Sequence, residues 1–180
     1  MRVITGIAKG RRLKTLDGND VRPTTDKVKE AIFSSIQFDI EGRRVLDLFS
    51  GSGQLGIEAL SRGAVSATFV DLNPHAIDVV KENLKTTNLD GLAKVVRSDS
   101  FSFIASTSDT FDIAFLDPPY RDGILEKTLS AVTTVMSENG IIACERPLDI
   151  RLPETVGGFY ETKQLKFGKI LVSVYRKESV

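Results

Sequence analysis

The sequence predicts an α/β protein with a Rossmann-like, mostly parallel sheet covered by helices on both faces. From Arg44 onward, short apolar runs of strand length alternate with segments of helical periodicity. The first run leads into a glycine-rich turn, and the last part of the chain breaks the alternation with two extended runs around Gly168. Such sheets have right-handed crossovers and bind ligands beyond the carboxyl ends of their strands. The 180 residues fit one domain.

The amino-terminal part differs from this alternating pattern. Residues 2–22 show little helical periodicity and predict short extended pieces, a small hairpin, separated by turns. From Thr24 the apolar residues fall at helical spacing, which predicts a helix of about three turns capped by Thr24 or Thr25. We therefore expect a basic extension over residues 1–40, followed by the main domain over 41–180.

The alternating region predicts five strands, four helices and a hairpin. The expected strands are Val45–Phe49, Ala67–Val70, Lys94–Val96, Phe111–Leu116 and Ile141–Glu145. The expected helices are Gln54–Arg62, one capped by Asn73 and opened by Pro74, Ser100–Ala105, and Ile124–Ser137 closed by Asn139-Gly140. The two carboxyl-terminal runs, Phe159–Phe167 and Ile170–Tyr175, predict an antiparallel hairpin.

Composition excludes several classes of protein. No apolar run is long enough to span a bilayer, and the start lacks a signal-peptide core, so we expect a cytoplasmic protein with no membrane partner. The single cysteine, Cys144, excludes an internal disulfide. Cys144 and His75 are the only thiol and imidazole, so we expect no metal site. The first is expected to be a core thiol and the second to lie in the first turn of a helix.

Charge is balanced overall but unevenly distributed. The sequence has 24 basic and 24 acidic residues, yet five cations precede the first acid, Asp17, and Arg22, Lys27 and Lys29 follow it. Such an arm can bind phosphates through counterion release while the protein stays neutral. From charge alone, a solvated basic face is the simpler interpretation. The five early cations are Arg2, Lys9, Arg11, Arg12 and Lys14.

A nucleotide-type loop follows the first predicted strand. Gly51, Gly53 and Gly56 form G-x-G-x-x-G, and Asp71 follows about 20 residues later, the spacing of a ribose-binding acid. Taken alone, this pattern indicates a dinucleotide site as readily as another nucleoside ligand. A tight strand-to-helix turn without any ligand is the structural alternative.

Two further acids favour S-adenosylmethionine over a dinucleotide. Asp47 lies inside the strand, where a carboxylate could hold the ammonium of a methionine moiety. Asp99 follows the third strand and could accept a hydrogen bond from an adenine amino group, with Phe101 packing on the ring. Asp99 is equally well placed to cap the next helix.

The end of the fourth strand carries the most specific motif, Asp117-Pro118-Pro119-Tyr120. Two prolines stiffen the backbone, so the carboxylate and nearby carbonyls keep a fixed geometry. An aromatic amine is a poor nucleophile because its lone pair is delocalised into the ring. Acceptors that hold both N–H groups favour pyramidalisation and free the lone pair to attack a methyl group. Tyr120 would stack on the target base. A strand-ending turn with a buried tyrosine is the structural alternative.

These residues resemble a known family. Asp117–Tyr120 resembles the [DNS]-PP-[YFW] motif of amino methyltransferases, and Asp47–Gly53 resembles their cofactor loop. The whole chain is similar to the bacterial small-subunit ribosomal RNA guanine-N2 methyltransferases (the RsmD family). The match includes Arg2–Gly10, Arg22–Phe33 and Leu55–Ala64. The family often has arginine at Lys27 and Lys29, which changes hydrogen-bond geometry but not charge, and a small residue at Gln54.

The resemblance implies that the chain transfers a methyl group from S-adenosylmethionine to the 2-amino group of a guanine in small-subunit ribosomal RNA. It also implies a monomer that acts on an assembled or assembling ribosomal particle, and a seven-stranded sheet. The implied catalytic residues are Asp117, Pro118, Pro119 and Tyr120. The implied cofactor-binding residues are Asp47, Phe49, Gly51, Gly53, Asp71, Leu72, Asn73, Ser98, Asp99 and Phe101. The implied RNA-binding residues are Arg2, Lys9, Arg11, Arg12, Arg22, Thr24 and Lys27.

Three alternatives stay open at this point. The same reaction could be directed at the N6 amine of adenine in DNA or RNA, because residue spacing does not distinguish the bases. An NAD-dependent oxidoreductase would account for the glycine pattern but lacks an evident proton donor. A non-catalytic RNA-binding module would account for the basic arm but leave Asp117–Tyr120 without a purpose.

Overall fold

The computed structural model describes residues 1–16, 25–119 and 123–177. Five helices are assigned in these ranges: α1 (Asp26–Ser35), α2 (Gln54–Ser61), α3 (Pro74–Thr87), α4 (Ser100–Ser106) and α5 (Ile124–Val132). Eight strands are assigned: β1 (Arg44–Leu48), β2 (Ser66–Asp71), β3 (Ala93–Arg97), β4 (Phe111–Leu116), β5 (Met136–Pro147), β6 (Thr155–Val156), β7 (Phe159–Phe167) and β8 (Ile170–Lys177). The alternating order that the sequence predicts is therefore present.

All eight strands form one sheet in the order β3-β2-β1-β4-β5-β8-β7-β6. Strands β1 to β5 pair in parallel, and β8, β7 and β6 continue the sheet in antiparallel fashion. The predicted α/β class and the carboxyl-terminal hairpin are confirmed. The strand count differs from the expected seven because the two-residue strand β6 pairs with the outer edge of β7.

Most helix starts follow the capping residues that the sequence indicates. The Asn73 side chain accepts the backbone N–H of His75, and Pro74 opens α3. The Thr25 hydroxyl accepts the backbone N–H of Val28 at the start of α1, which selects Thr25 over Thr24 as the cap among the two candidates. Thr24 itself lies outside the described residues.

The predicted end of the last helix is wrong. Helix α5 stops at Val132, a 3-10 turn covers Thr133–Val135, and Met136 already belongs to β5, opposite Phe111. The periodic apolar residues continue to Met136, so periodicity alone extends the helix too far. The β-branched run Thr133-Thr134-Val135 is a poor helix former, and Met136 packs on the sheet instead.

The amino-terminal extension lies along the helices of one face. Its predicted hairpin is reduced, in residues 1–16, to a single antiparallel bridge between Arg2 and Arg12. Val3, Ala8 and Leu13 are buried in the same apolar cluster as α1, α2 and the inner face of the sheet. The extension therefore packs as part of the main core. A second cluster fills the opposite face, under α4 and α5.

Across the ranges that the model describes, we find no helix with both the length and the apolar character that a bilayer crossing needs.

Candidate functional site

The site lies where the strand order reverses. The chain proceeds from β1 outward to β2 and β3, then returns so that β4 pairs on the other side of β1. In the β1–β4 register, Asp47 pairs with Phe115 and Leu48 with Leu116. The loop after β1 and the turn that begins at Asp117 therefore leave neighbouring strands side by side. This is the switch point at which open α/β sheets bind ligands.

The glycine loop has an unusual backbone. Phe49 has a φ of 71°, a left-handed conformation that is costly for an aromatic residue, and Gly51 and Gly53 have φ values of 54° and 77°. Carbonyl Val70 O accepts the N–H groups of both Phe49 and Ser50, which closes the loop on β2. A strained residue held by its surroundings is typical of a binding site.

The two later glycines are required by packing. A Cβ on Gly56 would lie 2.3 Å from the Phe69 ring, so only glycine lets α2 approach the sheet this closely. A Cβ on Gly53 would lie 3.2 Å from Val80 and 3.3 Å from Phe69, besides the strain of its positive φ. Close packing here places the first turn of α2 directly above the end of β1.

The Asp47 carboxylate lies under this turn. It is 3% exposed, and the backbone N–H of Gly56 donates to its Oδ2 at 2.8 Å. Burial raises the pKa of Asp47 to about 7, although the Gly56 hydrogen bond opposes this shift. A bound cation would hold the carboxylate in its ionised form. The predicted role of Asp47, binding an ammonium, is chemically consistent with this environment.

Asp71 connects the loop after β1 with the loop after β2. Its Oδ2 accepts the N–H of Gly51 at 2.9 Å, and its Oδ1 accepts the N–H of Asn73 at 2.8 Å. The side chain of Leu72, between them, is 63% exposed. The Asp71 carboxylate is thereby fixed at the carboxyl end of β2, and each oxygen retains a lone pair for a ribose hydroxyl.

The third loop, after β3, contains Asp99, for which the sequence predicts either a helix cap or an adenine contact. Its Oδ1 accepts the N–H groups of Phe101 and Ser102 at 3.0 Å each, so Asp99 caps α4. The ring of Phe101 is 37% exposed beside it, and Ser98 precedes it at the strand end. Capping fixes the Asp99 carboxylate beside the backbone of Phe101 at the carboxyl end of β3.

The proline turn follows β4 directly. Asp117 is half-buried, Pro118 is buried and Pro119 is exposed. Pro118 and Pro119 end the strand because neither can donate a hydrogen bond to a neighbouring strand. Tyr120, predicted to stack on the base, lies outside the described residues.

The cations of the amino-terminal arm and of α1 differ in burial. Arg2, Lys9, Arg11 and Arg12 are exposed, as is Lys27 on α1, and these five form no ion pair with any residue in the described ranges. Lys29 behaves differently: it is fully buried, and its ammonium donates to Arg2 O at 2.6 Å. Burial lowers its pKa. Counting Lys29 with the solvated cations of the arm is therefore wrong. Arg22, also predicted to bind RNA, is outside the described residues.

Comparison with known proteins supports the same assignment from another direction. The family model described as "Conserved hypothetical protein 95" matches residues 1–176. YlbH from Bacillus subtilis is 45% identical over 98% of this chain and 99% of its own length. Ribosomal RNA small subunit methyltransferase D from Escherichia coli is 33% identical, covering 99% of this chain and 91% of that protein. The chain belongs to the family of that methyltransferase. The resemblance drawn from the sequence is thereby confirmed.

A solved structure of similar size extends the likeness to three dimensions. The structure of yhhF from Escherichia coli superposes with a TM-score of 0.90 at 32% identity, covering 100% of this chain and 99% of that chain. The likeness therefore includes the amino-terminal arm, the site edge and the carboxyl-terminal hairpin. Family membership agrees with the Rossmann-like methyltransferase fold that the sequence predicts.

One buried acid that fixes the basic arm was not predicted from the sequence. Glu58 is fully buried in α2 and accepts the N–H groups of Ile4 at 2.8 Å and Thr5 at 3.0 Å. It also accepts Arg62 Nε at 2.8 Å and lies 3.7 Å from Lys29 Nζ. We call these contacts the Glu58 cluster, because they fix the basic arm on α2. The available signal was a lone charged residue in a helix, Gln54–Ser61, whose other residues are all uncharged.

Cys144 and His75, for which the sequence predicts no part in the site, lie where expected. Cys144 is buried in β5 and burial raises the pKa of its thiol, while His75 stands in the first turn of α3. Within the described ranges, no three His, Cys, Asp or Glu side chains cluster as metal ligands would.

Proposed function

We propose that the protein transfers a methyl group from S-adenosylmethionine to the exocyclic 2-amino group of a guanine in small-subunit ribosomal RNA. The observation that carries this proposal is the position of Asp117 and Pro118, directly after β4, the strand that pairs with β1 and so ends beside the glycine loop. A cofactor in that loop and an amine held at Asp117 would be neighbours. Membership in the methyltransferase D family supports the choice of ribosomal RNA.

The residues at the edge fit the cofactor from end to end. Asp47 is a buried acid suited to the ammonium, and Asp71 is fixed for the ribose hydroxyls. Leu72 and Phe101 offer exposed apolar surface for the adenine ring, beside the carboxylate of Asp99. The same three loops carry the other residues that we propose contact the cofactor: Phe49, Gly51, Gly53, Asn73 and Ser98. When bound, S-adenosylmethionine supplies a methyl group on a positively charged sulfur.

The protein's own part in the reaction is to position the amine. We infer that the Asp117 carboxylate and the Pro118 carbonyl accept hydrogen bonds from the two N–H groups. This would direct the nitrogen lone pair toward the methyl group and place negative charge where positive charge develops. The rigid backbone of Pro118 and Pro119 keeps the acceptors in place, and Tyr120 is proposed to stack on the base.

The arm supplies a basic surface for the RNA backbone. Arg2 and Arg12 face each other across an antiparallel bridge, which is repulsive unless an anion lies between or near them. Lys9, Arg11 and Lys27 are exposed nearby on the same extension and on α1. We propose that these residues, with Arg22 and Thr24, bind RNA phosphates and orient the substrate.

The test is a mapped methylation assay. Purified protein and isotope-labelled S-adenosylmethionine are incubated separately with naked ribosomal RNA and with small-subunit particles from a strain that lacks this protein. Nuclease mapping and mass spectrometry then identify the modified nucleoside. We expect N2-methylguanosine at one position, with particles as the better substrate.

Other products would decide among the alternatives. N6-methyladenosine, or incorporation into DNA rather than RNA, would replace guanine as the target while leaving the chemistry intact. Binding of NADH in place of S-adenosylhomocysteine in calorimetry would reject the methyltransferase assignment altogether.

A further inference from the structure

The strand next to β4 carries a buried acid near its carboxyl end. This residue, Glu145 of β5, is 3% exposed. Strands β4 and β5 are parallel, and their register pairs Leu116 with Cys144. The next residue after this pair is Asp117 on one chain segment and Glu145 on the other. Neighbouring strands lie about 5 Å apart, so Glu145 is a close neighbour of the residue proposed to hold the amine.

Both acids belong to the same face of the sheet. Ala143 packs in the apolar cluster under α1 and α2, and Cys144 packs in the cluster on the opposite face. Side chains alternate between faces along a strand, so Glu145 lies on the α1 side. On β4, Phe115 belongs to the α1-side cluster, and the same alternation places Asp117 on this side too.

The following residue of β5, Arg146, belongs to the other face. Arg146 is 5% exposed, its Nε donates to Ser173 Oγ at 3.0 Å, and its guanidinium lies 3.7 Å from the Glu161 carboxylate. Arg146 is thus held by the carboxyl-terminal hairpin, away from the α1 side. At this end of β5, Glu145 is the charged side chain that faces the proposed target base.

The α1 side is also the side on which RNA is proposed to lie. Lys29 lies 3.7 Å from Glu58, and Phe33 lies under Arg62 at 4.7 Å, so α1 runs in the same direction as α2. Because α2 begins at the glycine loop, α1 also begins at the site edge, where Lys27 is exposed. A phosphate bound by Lys27 and a base beside the end of β5 would therefore lie on one face of the sheet.

A second carboxylate beside the amine site distinguishes guanine from the other amino-bearing bases. The 2-amino group of guanine is adjacent to the ring N1–H, so this edge presents neighbouring donors. Adenine and cytosine instead present a ring nitrogen with a lone pair next to their amino group. A carboxylate accepts a hydrogen bond from the first arrangement and repels the lone pair of the second. Sites that bind a substrate N–H strongly reject analogues that lack it.

We propose that Glu145 accepts a hydrogen bond from N1–H of the target guanine while Asp117 and the Pro118 carbonyl hold its 2-amino group. A carboxylate has about four lone-pair positions, so Glu145 can serve a partner within the protein and a base at the same time. The inference rests on the proposed function and names the residue that selects its base. It also gives a reason to prefer guanine over adenine that does not depend on family membership.

The experiment compares two target bases that share the 2-amino group. Small-subunit particles are reconstituted with ribosomal RNA that carries guanine or 2-aminopurine at the position that the mapping assay identifies. 2-Aminopurine has a lone pair in place of N1–H and lacks the 6-oxygen. Single-turnover methyl transfer is measured for wild type, Glu145→Gln and Glu145→Asp. Glu138→Gln is the matched control, because Glu138 is an exposed acid at the other end of β5.

We expect wild type and the control to transfer to guanine on the order of fiftyfold faster than to 2-aminopurine. Glu145→Gln should slow transfer to guanine on the order of tenfold and leave 2-aminopurine unchanged or faster, because the amide can donate to N1. Glu145→Asp keeps a carboxylate in the buried position but withdraws it from N1, so it should narrow the preference in the same way. Affinity for S-adenosylhomocysteine should stay within about twofold in every variant, which shows that the fold is intact.

Two results would overturn the inference. Equal slowing on both bases would show that Glu145 supports the fold or the amine site and does not contact N1. Equal rates on the two bases with wild type would exclude a selective hydrogen bond to N1, whatever the variants do. Either result leaves the proposed function standing if guanine-bearing particles yield N2-methylguanosine. If wild type methylates adenine and no guanine, the proposed function is wrong and this inference fails with it.

Discussion

Two buried carboxylates, Glu58 and Asp47, lie on adjoining elements and have opposite environments. Glu58 accepts two backbone N–H groups and an arginine, with the Lys29 ammonium close by. Asp47 accepts one hydrogen bond from the residues that the structure describes, from Gly56. Burial raises the pKa of Asp47 to about 7. The protein itself supplies several donors to the Glu58 carboxylate, whereas the Asp47 carboxylate has lone pairs left for a ligand.

The difference distinguishes a structural charge from a binding charge. A saturated buried acid holds its neighbours in place and leaves no lone pair for a ligand, which is the role of Glu58 in fixing the arm. An acid that is buried with few donors is poised to gain from a cation. In this chain the first kind orders the surface proposed for RNA, and the second kind marks the surface proposed for the cofactor.

The largest expected effect is on stability, from the loss of the Glu58 cluster. Glu58→Ala removes the partner of buried Lys29 and leaves the N–H groups of Ile4 and Thr5 without acceptors, so it should cost about 3–5 kcal/mol of unfolding free energy. Denaturant unfolding measures this. Glu82→Ala is the matched control, since Glu82 also holds the arm, through an exposed ion pair with Lys14. It should cost no more than about 1 kcal/mol. Equal losses for the two variants would refute the structural role assigned to Glu58.

A smaller effect is expected on RNA affinity when the arm loses charge but keeps its fold. Arg11→Gln with Arg12→Gln should weaken binding to a small-subunit RNA fragment on the order of tenfold at moderate salt. The slope of log affinity against log salt should fall by about 1.5, the contribution of two phosphate contacts. Lys163→Gln with Lys166→Gln removes two exposed charges from β7 as the control. An equal reduction by the control pair would show that total charge, not the arm, attracts RNA.

The smallest effect is a pH dependence that Asp47 should confer. Its pKa is higher in the folded chain than in the unfolded one, so its protonated form favours folding at low pH. That contribution is lost as pH rises from near 4 through about 7. Ligand binding should show the reverse trend. Affinity for S-adenosylhomocysteine should rise about eightfold from pH 6 to pH 7.5, as the carboxylate ionises. Calorimetry with Asp47→Asn should give a flat profile. A slope that persists in this variant would exclude Asp47 as its source.

Local signals in the sequence were sufficient for most of the fold. Strand-length apolar runs and caps such as Asn73 and Asp99 act through neighbours in the chain, so the elements and the hairpin were predicted correctly. The end of α5 was not, because Met136 satisfies both the helical period and a place opposite Phe111 on the sheet. Only tertiary packing decides between the two.

The candidate site was predictable in part for the same reason. Residues at strand ends, from Asp47 to Asp117, follow from the topology of a parallel sheet. The order of charged residues along the chain does not show which of them are buried. Lys29 was therefore counted with the solvated cations of the arm, although it lies inside the protein near Glu58. The role we propose for Glu145 depends on the register between β4 and β5, which no local pattern encodes.

The central claim is that Asp117 holds the target amine beside the bound methyl donor. Single-turnover methyl transfer to small-subunit particles by Asp117→Ala, with cofactor affinity measured on the same preparation, tests it most directly. We predict a fall in transfer rate on the order of a hundredfold or more, with cofactor affinity within about threefold of wild type. Transfer at the wild-type rate by a variant that binds the cofactor normally would contradict the account.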